Sequence, residues 1–119
     1  MGGPLLRGTG RISLRGYRMS TYLIHFKAMP IIGSENFGRF AGAYFTNWAL
    51  AENLDAAMQR VIDHAAVLGW QFDERKDVHI VTRDSHLSDA ELLAAFDTVQ
   101  TLGVAAIIDT FALPLSELN

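Results

Sequence analysis

The chain has 119 residues, half of them hydrophobic, and a formal net charge of −3. That length supports one domain with a real core, and the apolar fraction excludes a disordered chain. The absence of cysteine excludes disulfides, thiolate zinc sites and cysteine nucleophiles, and no apolar run reaches the roughly 18 residues that would span a bilayer.

The charge is unevenly spread. Residues 1–18 hold Arg7, Arg11, Arg15 and Arg18 and no acid. From Met19 onward six basic residues face thirteen acidic ones, a balance of −7. Such a body has no basic patch to neutralise phosphates, so neither nucleic acid nor membrane is an expected partner. Residues 1–20 read as a flexible basic tail, with Met19 as the expected functional start. Residues 21–119 read as a single domain with a cytoplasmic location.

The first strand is expected over Thr21–Met29. Tyr22, Ile24, Phe26 and Ala28 form an apolar face, while Leu23, His25, Lys27 and Met29 form a mixed one. Pro30 removes a ladder donor and ends it. Residues 31–41 read as a loop containing Phe37, Arg39 and Phe40. Connecting segments are usually polar, so these aromatics mark either a lid tucked onto the core or a ligand contact. Gly33 and Gly38 lack the lysine and hydroxyl that would complete a phosphate loop.

Ala43–Leu50 is apolar on both faces and reads as a central strand. Asn47 is the polar exception and needs partners, from backbone or from a ligand. Asn53 is placed to cap a helix, with Asp55 favourable in its first turn. Leu54, Ala57, Met58, Val61, Ile62, Ala65 and Leu68 form its apolar stripe. Gly69 stops it, and Trp70 is expected to anchor its end in the core.

A charged turn is expected at Asp73–Asp77, then a strand at Val78–Thr82 with Ile80 facing the core. Ser88 and Glu91 read as a capping box, with Leu87 and Leu92 as the staple around it. Leu92, Leu93, Phe96 and Val99 supply the buried stripe of this second helix. Gly103 ends it, and Val104–Phe111 reads as a final buried strand.

The order β-β-α-β-α-β predicts an α+β fold: a two-layer sandwich, a ferredoxin-like variant. Its sheet is expected to be four-stranded and mostly antiparallel, with both helices on one face. Two strands are apolar on both faces, so the face without helices needs a cover. A second copy of the chain is the expected cover, making a homodimer. The basic tail folded across the sheet is the competing cover.

Four histidines are present, and none stands at metal-ligand spacing, so no metal and no cofactor are expected. His25 and Asp109 are the candidate catalytic pair, a histidine oriented by a carboxylate, with His79 able to share their face. The alternative is that these groups are the wet side of the sheet or structural pairs.

The stretch GAYFTNWALAENLDAAMQRVIDHAAVLGW, followed by VHIVTRD, resembles a group of small uncharacterised bacterial proteins. They share a Gly-Ala-Tyr strand, an alanine-rich helix closing on Gly-Trp, and a later Val-Thr-Arg-Asp. The resemblance implies no activity and no site.

Three functions are compatible with these residues. The first is a non-catalytic protein that self-associates and binds a protein partner or small ligand, with Phe37, Arg39, Phe40, Asn47 and Trp48 as contacts. The second is a small dimeric enzyme with a pocket lined by His25, Asn47, Trp48 and Asp109. The third is a ligand-sensing module built on loop 31–41.

Overall fold

The first strand, β1 (Ser20–Pro30), forms a hairpin with β2 (Phe40–Ala51), in register from Ser20 opposite Ala51 to Ala28 opposite Ala43. This computed structural model describes residues 18–113. The expected tail lies outside the described residues up to residue 17, as do residues 114–119. Helix α1 (Leu54–Val67) follows, then β3 (Trp70–Val81) and a 3-10 turn (Arg83–His86). Helix α2 (Ala90–Leu102) and β4 (Val104–Ala112) complete the described chain. The four strands form one antiparallel sheet in the order β3-β1-β2-β4. The expected α+β class, with a four-stranded antiparallel sheet and two helices, is what the described residues form.

The layering differs from expectation. Cross-strand partners share a face. Ile24 pairs with Asn47 and Asn47 with Ala106, and this face packs against Ala57, Val61 and Ala65 of α1. Leu23 pairs with Trp48 and Trp48 with Ala105, and this opposite face packs against Phe96 and Val99 of α2. The helices therefore lie on opposite faces, which corrects the two-layer, ferredoxin-like arrangement with both on one side. The reason is in the residues: Trp48 and Leu50 line the second face as apolar contacts that α2 buries.

Topology sets how far each helix reaches. The strand β2 ends beside the start of β1, whereas β3 begins beside Pro30 at the other end of the sheet. So α1 must carry the chain along the full strand length. By contrast, β3 ends opposite Thr21 and β4 begins opposite Ala49, both at the same end. The connection through α2 stays at that end and covers only half of its face.

Under α1 the core is closed. Small residues at helical spacing, Ala57, Val61 and Ala65, are fully buried against Ile24, Phe26, Ala43, Phe45 and Ala49. Phe26 and Phe45 stack with ring centroids 5.0 Å apart, and Phe72 meets Phe26 edge-on. Asn53 caps α1 as expected, its side chain accepting from the Ala56 amide at 2.8 Å. Trp70 is buried as expected, as the first residue of β3.

Four further expectations need correction. The cap of α2 is Asp89, not Ser88; its carboxylate accepts from the Glu91 and Leu92 amides and adds a favourable charge at the helix start. The charged residues 73–77 are strand, not turn, because β3 is an edge strand open to water and absorbs two register shifts against β1. Ile80 is 65% exposed for the same edge position. The strand β4, expected to be buried, is the other edge and only half-covered.

Candidate functional site

The β1–β2 connection, residues 31–39, sits at the end of the sheet that α2 does not reach. It is tied down by side chains chosen for turns. The Ser34 hydroxyl donates to the Gly69 carbonyl at 3.3 Å, and the Asn36 amide donates to the Leu68 carbonyl at 3.0 Å. The Ile31 backbone N–H also donates to Gly69. These bonds fasten the loop to the C-terminal turn of α1. Gly69 is required there: its φ is +91°, and a Cβ would sit 2.8 Å from the Asn36 side-chain nitrogen.

The loop splits its residues between two hollows. Arg39 lines a polar one of about 430 Å³ with Ser34, Glu35, Asn36 and Gly69. Its guanidinium also lies over the Phe40 ring, 5.1 Å from the centroid. Phe37 and Phe40 line an apolar groove of about 380 Å³ with Met29, Pro30, Gly38, Ala41 and Leu113. Among the described residues, none of its lining side chains titrates. Phe37 is 54% exposed at the mouth, and Phe40 is half-buried against Trp70.

Beside the groove runs the half of the α2 face that α2 leaves open. Across it lie rows of paired residues: Lys27, Tyr44 and Asp109, then His25, Thr46 and Ile107. The Phe111 ring packs against Gly42, where an added Cβ would come within 2.7 Å of its Cζ. Tyr44 stacks obliquely on Phe111 at 5.2 Å. The β3 side of this face is charged, with Lys27 3.9 Å from Asp73 and Lys76 bonded to Glu74. The Glu74 carboxylate raises the pKa of Lys76.

The pocket expected from His25, Asn47, Trp48 and Asp109 does not assemble. Asn47 points to the α1 face and is fully buried. Its amide donates to the Ile24 carbonyl at 3.0 Å, while its Oδ1 has no partner among the described residues. Trp48 is fully buried beneath α2. His25 and Asp109 share the α2 face but stand on β1 and β4, with β2 between them. Two strand spacings are about 9.6 Å, too far for a hydrogen bond. His79 faces the same way, opposite Leu23. His64, on the flank of α1, is half-buried rather than solvated.

His86, weak as a metal ligand with His79 seven residues before it, has a structural role that its spacing does not disclose. It is 4% exposed, and its Nε2 accepts from the Trp48 indole N–H at 3.0 Å. Indole is a donor only, so Nε2 is the accepting nitrogen and Nδ1 is the one left to donate. That nitrogen lies 3.4 Å from the Ser85 hydroxyl, which itself donates to the Thr82 carbonyl. The ring meets Trp48 and Phe96 edge-on. Ser85 and His86 resemble a catalytic pair in residue types only. The buried His86 Nε2 is taken up by the Trp48 indole and the exposed Ser85 hydroxyl by the Thr82 carbonyl, so these bonds fasten the 3-10 turn to the sheet. Among the described residues there is no group of three His, Asp or Glu able to hold a metal ion, and no helix is long and apolar enough to cross a membrane. Set against family models, curated proteins and solved structures, the chain matches none.

Proposed function

We propose that this is a non-catalytic protein that self-associates and holds an apolar ligand, or an apolar side chain of a partner, in the groove beside loop 31–39. The observation that carries this reading is the groove itself. It has a ligand-sized volume of about 380 Å³, aromatic walls from Phe37 and Phe40, and, among the described residues, no acid or base on its lining. The anchoring of the loop to α1 through Ser34 and Asn36 supports it, because a site held before binding loses less entropy on binding. The enzyme reading lacks support, since its four residues are divided between two faces of the sheet.

The test is binding of the apolar fluorophore 8-anilino-1-naphthalenesulfonate to the native chain and to Phe37→Ser. Phe37 is exposed, so the substitution is expected to leave the fold intact. A saturable signal that weakens at least about tenfold in the variant, or about 1.4 kcal/mol, supports the reading. Equal binding to both proteins removes it.

A further inference from the structure

The two edges of the sheet are built differently. The outer edge of β3 carries Asp73, Glu74, Arg75, Lys76 and Asp77, all exposed, and two bulge-like register shifts. Charges and bulges are how natural sheets prevent another strand from adding on. The β4 edge is defended far less, its one register shift against β2 lying at the strand end, between Phe40 and Gly42. Its sequence, VAAIIDTFA, is β-favouring, free of proline and lysine, and carries one charge, Asp109. Its register with β2 is unbroken from Gly42 to Ala49. Among the described residues, β2 is its only strand partner, and no loop bonds its backbone from the outer side.

We infer that β4 pairs antiparallel with β4 of a second copy, across a two-fold axis perpendicular to the sheet, to give a continuous eight-stranded sheet. This inference rests on the self-association reading and supplies its surface. It also replaces the original reason for expecting a dimer. The α2 face is half covered by α2, and its open half is polar enough, through Lys27, His25, Thr46 and Asp109, to stay wet. Among the described residues, what lacks a partner is the backbone of the β4 edge, and an unpaired row of N–H and C=O groups takes another strand.

The segment is self-complementary. Pairings that keep the two sheets continuous place residues of one face opposite residues of the same face. Centring on Ile107 sets Ile107 against itself, Ala106 against Ile108, and Ala105 against Asp109. The two Asp109 carboxylates then stand neither opposite nor diagonal to each other. Centring on Asp109 would oppose them, which is destabilising. The assembly also closes. The pairing uses the same edge of both copies, and the edges left outside are the two charged, bulged β3 strands, so head-to-tail growth into filaments is blocked.

The test uses the native chain without substitution. Sedimentation equilibrium gives the mass, and amide hydrogen exchange by NMR is followed at a concentration where that mass is known. A dimer in which consecutive amides of β4 are protected, while outward amides of β3 exchange at least about tenfold faster, supports the inference. A dimer with alternating protection in β4 overturns it and leaves self-association to another surface. A monomer overturns both, including a monomer with a protected β4, whose edge would be covered from within the chain.

Discussion

Phe45 and Tyr44 are neighbours on β2, yet Phe45 is fully buried under α1 and Tyr44 is half exposed on the other face. The contrast runs through the whole sheet. Along the central strands β1 and β2 the α1 face is closed from end to end because α1 carries the chain between opposite ends of the sheet. The α2 face is closed at one end because its connection begins and finishes there. Stability is therefore concentrated under α1. Binding is expected where helix cover stops, at the end holding loop 31–39, Met29 and Phe111.

Substitution at the neighbouring pair breaks this comparison most severely. Phe45→Ala should cost about 3–5 kcal/mol, the range for a buried phenylalanine. Tyr44→Ala should cost less than about 1 kcal/mol, since an exposed side chain loses little beyond its contact with Phe111. Urea denaturation of both variants measures the difference. Similar losses would mean that the two faces are not as unlike as their packing indicates.

The covered half of the α2 face is sharpened by His86→Leu. It strands the Trp48 indole N–H in the core, at a cost of about 1–3 kcal/mol in the same denaturation assay. If Trp48→Phe is made alongside, the double variant should lose less than the two single variants combined, because both partners are then gone. Additive losses would indicate that the bond at 3.0 Å does not hold the 3-10 turn.

Helix ends give smaller effects. Asn53→Ala and Asp89→Ala each remove a cap and should cost about 0.5–2 kcal/mol. The smallest effect belongs to the exposed pair of Arg83 and Asp97, bonded at 3.0 Å. The Arg83 hydrogen bond holds the Asp97 carboxyl below its usual value of 3.8. Because the folded pKa is the lower one, the contribution is present above the usual value and is lost as pH falls through the depressed one. In Arg83→Ala the Asp97 titration should move back up toward the usual value, followed by NMR. An unmoved titration would show that the bond is absent in solution.

Much of the fold was legible because it rests on local rules. The cap at Asn53, the stripe through Ala57, Val61 and Ala65, and the stop at Gly69 follow from periods and propensities that act within one helix. The sheet was less legible. Whether Asp73–Asp77 turns or runs on as strand depends on β3 being an edge, and no local pattern states that. The site residues failed for the same reason. Alternation correctly put His25 and Asp109 on one type of face, but only the strand order shows that β2 separates them. Phe37 and Phe40 were visible as aromatics out of place in a loop. Their companions Met29, Pro30 and Leu113 were not, because they come from the ends of other strands.

Chemical-shift mapping with indole tests the groove most directly. The account predicts saturable shifts in backbone amides at and beside Met29, Phe37, Gly38, Phe40, Ala41 and Leu113, with α2 undisturbed. Shifts gathered instead around α2 or the 3-10 turn, or no saturable shifts at millimolar indole, would contradict it.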